Sequence, residues 1–152
     1  LATTILAEGR RSRLVQKLRE ELQIVESIDM DVTTLEQGSL VMLEACCPAD
    51  QIERVEMEIH QQLNSSLTTA ITDEEFHRAL QLVGNGHRFS LEAPGAVAAS
   101  AGSQTLWGRH RDLLAPLQDL MYWNPSTLRE GIMPLLQPQH SFTLIARSED
   151  NA

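Results

Sequence analysis

The sequence predicts an α+β domain: a small, mainly antiparallel sheet layered with several helices. Three features predict this. The spacing of apolar residues changes from four to two near Ile24, a Gly-containing turn separates two apolar strands, and amphipathic segments with helix-start signals fill much of the remainder. A chain of 152 residues can bury a sizeable core, and one domain over residues 1–152 is expected.

The first helix and strand follow one another directly. Ser12 is a predicted N-cap, and a stripe of leucines recurs every four residues after it, at Leu14, Leu18 and Leu22. Residues 24–33 then alternate with a period of two, which predicts a strand with one mainly apolar face.

A second strand is predicted after the turn Glu36–Ser39, which contains Gly38. Residues Leu40–Cys47 are apolar on both faces except at Glu44, which is typical of a central strand. The two strands therefore form a predicted hairpin.

Two amphipathic helices are predicted next. The first begins near Pro48, and its apolar side is formed by Ile52, Val55, Ile59 and Leu63. The second begins at Thr72, with Glu75 three residues later as a capping box, and its predicted inward side chains are Phe76, Leu80 and Val83.

The last third of the chain is predicted to be mainly helical and to end in a strand. Residues 92–102 are rich in small side chains and form either a close-packed helix or a flexible link. A helical stretch near 104–122 and a short helix within 124–138 follow. Residues 140–148 predict a final strand that returns to the same sheet.

The charge argues against a nucleic-acid partner. Asp and Glu outnumber Lys and Arg by 21 to 12, giving a net charge of −9 that would repel phosphate backbones. The basic residues Arg10, Arg11 and Arg13 are diluted by Glu20 and Glu21, so a helix surface is expected there. No apolar run approaches the roughly 20 residues that span a bilayer, so no membrane partner is expected.

The two cysteines, Cys46 and Cys47, are adjacent in the second predicted strand. Successive strand side chains point to opposite faces, so the two thiols are poorly placed to share a metal or a disulfide. Two buried, reduced thiols are predicted, consistent with a cytoplasmic location.

Motifs for metal or nucleophilic chemistry are weak. The five histidines are well separated and form no zinc-binding helical pair, so a metal site would have to be assembled from scattered positions. Gly84–Phe89 only begins like a dinucleotide loop, and no phosphate-binding loop or serine elbow is present. The aromatic residues Trp107, Tyr122 and Trp123 either line a peptide groove or, more typically, belong to the core.

Glu26 is the one charged residue predicted on the apolar face of the first strand, where an unpaired carboxylate would be costly to bury. Three interpretations stay open: the face opens onto a cavity, a base such as Arg19 neutralises the carboxylate, or a bulge turns it outward.

The stretch Ile5–Ile28 resembles the signature of the insulinase, pitrilysin and processing-peptidase family of zinc metallopeptidases, specifically its second domain, which holds no zinc. The matching positions are Ile5, Leu6, Gly9, Ser12, Arg13, Leu14, Leu18, Arg19, Glu20 and Leu22. Looser agreement continues in order through residues 72–80, 90–102 and 124–146.

The resemblance implies a clam-shell of paired domains around a peptide chamber, with zinc held by His-x-x-Glu-His in an N-terminal domain that this chain lacks. Its second domain supplies an Arg and a Tyr that contact the substrate or the developing oxyanion. Arg19 matches that Arg, whereas Glu26 stands at the Tyr position and Gln23 where Gly is common. A carboxylate does not donate a hydrogen bond to an oxyanion unless it is protonated, so this departure argues against direct catalysis by this chain.

We therefore expect a non-catalytic C-terminal domain, a fragment of a longer peptide-processing protein whose first strand precedes Leu1. The chain itself is expected to hold no cofactor and no metal. Its expected partners are a zinc-bearing N-terminal domain or subunit, a peptide substrate and a dimer mate. The alternatives are a non-peptidase scaffold subunit of the same fold and an unrelated α+β domain that binds a small ligand.

Overall fold

The computed structural model describes residues 1–147 and confirms the α+β architecture. A short helix and a π-helix precede a two-stranded antiparallel hairpin, and helices make up the rest of the described chain. The elements are α1 (Ala2–Ala7), the π-helix (Val15–Glu21), β1 (Ser27–Thr34), β2 (Ser39–Cys46), α2 (Ile52–Ser65), α3 (Asp73–Ser90), α4 (Pro94–Leu106), α5 (Ala115–Leu120) and α6 (Pro125–Gly131). Short 3₁₀ turns lie at Ala49–Gln51, Met133–Leu136 and Pro138–His140.

The predicted hairpin is confirmed, with small shifts at its ends. Met30 lies opposite Leu43, and Ile28 opposite Ala45, so their side chains share one face. Ile28 is buried, and Met30 and Leu43 pack against the core at its edge. Within residues 1–147 β2 has only β1 as a neighbour, so the prediction of a central strand is wrong.

Helices α2 and α3 form where their local signals predict them. Thr72 accepts a hydrogen bond from the Glu75 amide, and the Glu75 carboxylate accepts one from the Thr72 amide, so the capping box is complete. Phe76 and Val55 are buried in the core, while Leu80 packs at its margin.

The core lies where α1, the π-helix and β1 meet α2 and α3. The six-residue helix α1 was not predicted, yet its Ile5 and Leu6 are fully buried and it packs against both β1 and α3. The buried apolar cluster comprises Ala2, Ile5, Leu6, Ala7, Leu14, Val15, Leu18, Ile24, Val25, Ile28, Val55, Leu63, Ile71, Phe76, Ala79, Leu128 and Met133.

The later helices cover the core more sparsely. Residues 94–106 are the helix α4 rather than a link, but none of its side chains is buried. The predicted helix near 104–122 is interrupted between Leu106 and Ala115, so only its end forms α5. Gln137 is buried, and its amide donates to the carbonyls of Leu63 at 3.0 Å and Met133 at 2.8 Å, which fastens the end of the chain to α2.

The prediction of a final strand is wrong over residues 141–147, which carry no strand pairing. Phe142 and Leu144 are 88% and 83% exposed. High β-propensity alone does not make a strand, because a strand needs a neighbour whose backbone completes the hydrogen-bonded ladder. The predicted last residue, Ser148, lies outside the described residues.

Two further local predictions were wrong. The Ser12 side chain is fully buried and donates to the Gly9 carbonyl at 2.7 Å, so it closes a turn instead of capping the helix that follows. Cys46 is exposed and Cys47 is half-buried, because this end of β2 lacks a covering layer; both thiols are free. Burial, followed by the nearby Cys46, raises the pKa of the Cys47 thiol.

None of the helices within residues 1–147 combines the length and the hydrophobicity that a membrane span requires.

Gln23 joins the π-helix to β1 in a left-handed backbone conformation, with φ of 52°. This is the position at which the resembling family commonly has Gly. A side chain with Cβ is strained there, whereas Gly is not. We expect Gln23→Gly to raise the free energy of unfolding by about 1 kcal/mol in urea denaturation.

The matched control is Gln16→Gly, at an exposed glutamine within the π-helix. There Gly only adds flexibility to the unfolded chain, so we expect a loss of about 1 kcal/mol. If both substitutions destabilised the protein equally, the left-handed conformation of Gln23 would carry no strain.

Candidate functional site

Arg19 lies on the π-helix, whose widened turns are visible in its hydrogen bonds. The Leu22 amide donates to the Lys17 carbonyl, five residues back, at 3.0 Å, which is the π-helical spacing. Beyond the end of the helix, the Ile24 amide donates to the Leu18 carbonyl, six residues back, also at 3.0 Å. π-Helices are rare and are frequent at functional sites. Here the unusual helix is anchored by Leu18, which is fully buried and immediately precedes Arg19.

The Arg19 side chain points to solvent. The residue is exposed, and within residues 1–147 its guanidinium forms no ion pair and no hydrogen bond. The interpretation that Arg19 neutralises Glu26 is therefore wrong for this structure. A guanidinium without a protein partner retains all its donors for a carbonyl, carboxylate or oxyanion of a ligand.

The other basic residues of the same segment are all paired with carboxylates. The four ion pairs are Arg10–Glu20 at 2.6 Å, Arg11–Glu74 at 2.8 Å, Arg13–Glu75 at 2.7 Å and Lys17–Glu21 at 3.1 Å. This pairing removes the basic patch that the sequence displays between residues 10 and 19.

Glu26 is turned outward, as in the third of the three interpretations. Its amide donates to the Cys46 carbonyl at 2.8 Å, although Ser27 is the residue registered opposite Cys46. Two residues facing one partner is the arrangement of a β-bulge, which redirects a side chain. The Glu26 carboxylate is exposed and lies 3.9 Å from the Cys46 Sγ, a weak contact.

A shallow open groove runs along the π-helix but does not include Arg19. It lies between the π-helix and the loop that joins α2 to α3, and its lining includes Arg13, Lys17, Glu21, Gln62 and Thr72. Its cations are already paired: Arg11 with Glu74, Arg13 with Glu75 and Lys17 with Glu21. Arg19 and this groove are therefore separate features of the surface.

Arg13, which lines the groove, and Arg78 on α3 hold distant segments of the chain together, and sequence reasoning missed this. Arg13 donates to both carboxylate oxygens of Glu75 and to the Ala70 carbonyl, while Arg78 donates to the Glu8 carbonyl at the end of α1. The role of Glu75 in a capping box was visible in the sequence. Its ion pair with Arg13 was not, because the two residues lie 62 positions apart.

The described residues do not gather a metal site. No group of three or more His, Cys, Asp or Glu side chains in residues 1–147 is placed to hold an ion. His77 and His87 instead contact backbone carbonyls of Asp73 and Leu113, each at 2.7 Å. The side chains of residues 1–147 therefore do not fit zinc.

The three aromatic residues do not line a common groove. Trp123 packs against the core, Trp107 lies under the guanidinium of Arg109 at 4.8 Å, and Tyr122 is 81% exposed.

Comparisons with known proteins agree with the resemblance carried by residues 5–28. The family model described as the Peptidase M16 inactive domain matches residues 1–83. No curated protein matches the chain at the significance required.

Solved structures share the fold at low sequence identity. A Peptidase M16 inactive domain from Pseudomonas fluorescens has a TM-score of 0.76 and 13% identity, over 87% of this chain and 32% of that one. The inactive peptidase domain of a proposed zinc protease from Bordetella parapertussis has a TM-score of 0.81 and 14% identity, over 99% and 83%. A proposed zinc protease from Bordetella pertussis Tohama I has a TM-score of 0.72 and 17% identity, over 85% and 72%.

The chain thus spans about a third of the length of the Pseudomonas fluorescens chain, with 32% covered. The family match covers more than half of this sequence and includes the π-helix, the hairpin and the start of α3. The chain belongs to the Peptidase M16 inactive-domain family.

Proposed function

We propose that this chain is the C-terminal, non-zinc domain of a longer zinc-metallopeptidase-like protein. It forms one wall of the chamber in which a peptide is bound and processed, and it performs no hydrolysis itself. Zinc and the attacking water are supplied by an N-terminal domain or partner subunit, and the paired domains make a dimer-like assembly.

Arg19 is the observation that carries the proposal. It stands at the position where the family signature has its substrate-contacting Arg, on the exposed side of the π-helix, with no protein partner among residues 1–147. The guanidinium fork suits a peptide carbonyl or a developing oxyanion, because it offers several donors in a fixed plane. The groove beside the π-helix is not this site, so the proposed chamber needs its second wall from the zinc-bearing domain.

The chain's part in the reaction would be binding and orientation. Arg19 donates hydrogen bonds that hold the peptide backbone and stabilise negative charge as it develops on the scissile carbonyl oxygen. Glu26, a carboxylate at the family Tyr position, does not add a second donor while it is ionised.

A second function is favoured by Glu26 alone: a scaffold subunit of the same fold with no peptidase in its assembly. An exposed carboxylate at the family Tyr position, here Glu26, opposes an oxyanion instead of stabilising it. An inverted His-x-x-Glu-His motif in the intact gene product supports the peptidase, and its absence from every subunit supports the scaffold.

The proposal is tested by Arg19→Ala in the zinc-bearing assembly. We expect kcat/KM for peptide cleavage to fall roughly 10- to 100-fold, because a charged donor to the substrate is lost. The thermal midpoint should shift by less than about 2 °C, since an exposed side chain without partners contributes little to stability.

Arg54→Ala is the matched control, because Arg54 is also exposed but lies on α2. It should leave both cleavage and stability unchanged. If Arg19→Ala cleaved peptide as fast as Arg54→Ala, Arg19 would not contact the substrate and the proposal would be wrong.

A further inference from the structure

Arg19 is followed directly by two carboxylates, Glu20 and Glu21, yet within residues 1–147 it pairs with neither. Each carboxylate already holds a different cation. Arg10 grips Glu20 with two hydrogen bonds, from Nη2 at 2.6 Å and from Nε at 3.3 Å. Lys17 holds Glu21 at 3.1 Å across one helical turn.

These two ion pairs occupy the carboxylates that directly follow Arg19 in sequence, so neither carboxylate binds the Arg19 guanidinium. Glu20 directly follows Arg19 on the π-helix, and the same spacing forms an ion pair elsewhere in this structure, where Arg129 lies 3.4 Å from Glu130. The hydrogen bond from Arg10 lowers the pKa of the Glu20 carboxyl most, and the charge of Arg19 adds a smaller effect. A flexible guanidinium beside an unoccupied carboxylate readily forms a charge-assisted hydrogen bond. Arg10 occupies the carboxylate that would otherwise be available.

We propose that Arg10 is a positioning residue, which holds Glu20 so that the guanidinium of Arg19 stays free to bind the backbone carbonyl or carboxylate of a peptide. This inference rests on the proposed function of Arg19. Arg10 itself comes from the loop that follows α1, so the loop controls the charge environment of the π-helix from outside it. In the same way, Lys17 holds the carboxylate of Glu21, the residue after Glu20, away from Arg19.

The Arg10–Glu20 pair lies at the surface, so its effects on folding and on ligand binding are expected to be small. The Arg10 side chain is 81% exposed, so its contribution to folding is minor and its removal should not disturb the core. A surface carboxylate that competes for Arg19 would reduce ligand binding by about two- to five-fold. The competition should weaken as salt screens it, with a screening length of about 10 Å at 0.1 M.

The test compares Arg10→Ala, Glu20→Gln and the double variant in the zinc-bearing assembly at low ionic strength. Arg10→Ala should raise KM for peptide by about two- to five-fold with kcat nearly unchanged. Adding Glu20→Gln to Arg10→Ala should restore the original KM, because the freed side chain no longer carries a charge. Both effects should fade in high salt.

Arg11→Ala is the matched control: it removes one positive charge from the same loop, but its partner Glu74 lies on α3 and both side chains are 77% exposed. It should leave KM unchanged. A direct readout is the ¹⁵N–¹H signal of the Arg19 Nε group in the full chain, which should shift in Arg10→Ala and return in the double variant.

The outcomes separate this inference from the proposed function. If Arg19→Ala leaves cleavage intact, the function is wrong, while the Arg19 signal still reports whether Glu20 captures it. If Arg19→Ala impairs cleavage but Arg10→Ala behaves like Arg11→Ala and leaves the Arg19 signal unmoved, Arg10 is not a positioning residue.

Discussion

Replacing Leu18 with alanine should lower the free energy of unfolding by about 3 kcal/mol. Leu18 is fully buried on the inner side of the π-helix, among apolar side chains that include Leu14 and Ile28. The substitution removes apolar surface from the core and leaves a cavity that the neighbouring elements fill only in part. Urea denaturation followed by circular dichroism measures the loss.

Leu106→Ala is the matched control, because Leu106 ends the helix α4 with 82% of its surface exposed. The same chemical change there should cost less than about 0.5 kcal/mol. A loss below about 1 kcal/mol for Leu18→Ala would mean that the π-helix is not anchored by the core. The rigid presentation of Arg19 would then lack its physical basis.

Replacing Arg13 with alanine should cost about 2 to 3 kcal/mol of stability. Its guanidinium binds both oxygens of Glu75, at 2.7 and 2.9 Å, and also the Ala70 carbonyl at 3.0 Å. The two charged side chains are only 13% and 20% exposed, so the carboxylate left behind is poorly hydrated. Arg11→Ala, whose ion pair is exposed, should change stability by less than about 0.5 kcal/mol.

The same ion pair predicts the direction of a pH dependence. Burial favours a higher pKa for the Glu75 carboxyl, but the hydrogen bonds and charge of Arg13 and the bonds from Thr72 outweigh it and hold the pKa below its usual range. A carboxyl with a lowered folded pKa stabilises the fold above its unfolded pKa. This stability should start to fall below about pH 5 and be lost as the pH passes through the folded pKa.

Glu75→Gln removes the titrating carboxyl. The stability of this variant should therefore not show the part of the acid-induced decline that comes from protonation of Glu75. The difference between the wild type and Glu75→Gln should be largest near neutral pH and shrink on acidification. A difference that stayed constant from pH 7 to pH 3 would contradict the role of Glu75 as an ionised partner of Arg13.

The elements that sequence reasoning predicted well are those whose signals are local. The capping box at Thr72 and Glu75 marks the start of α3 with a signal only four residues long. The hairpin follows from apolar strand patterns on both sides of the turn at Gly38. The α+β class then needs no long-range information.

The elements that failed depend on distant partners. Residues 141–147 have the composition of a strand, but no neighbouring strand lies beside them in the described chain. Helix α1 spans only six residues, too few to show a helical period, and it is stabilised by packing on β1 and α3. Local sequence does not encode either outcome.

The candidate site was reached from a resemblance, and its surroundings required the structure. Arg19 was identified by its place in the signature, whereas the pairing of Arg10, Arg11 and Arg13 with three different carboxylates depends on how a loop meets two helices. The strict four-residue spacing of leucines was a hint of the π-helix, because that repeat drifts around an ordinary helix of 3.6 residues per turn. Only the backbone hydrogen bonds reveal the wider turn.

The most direct test of the central claim is a crystal structure of the intact zinc-bearing assembly with an uncleaved peptide bound. The account predicts a guanidinium nitrogen of Arg19 at about 3 Å from a carbonyl or carboxylate oxygen of that peptide, with zinc held by another domain. A peptide bound elsewhere, with Arg19 on an outer convex surface in bulk solvent, would contradict it.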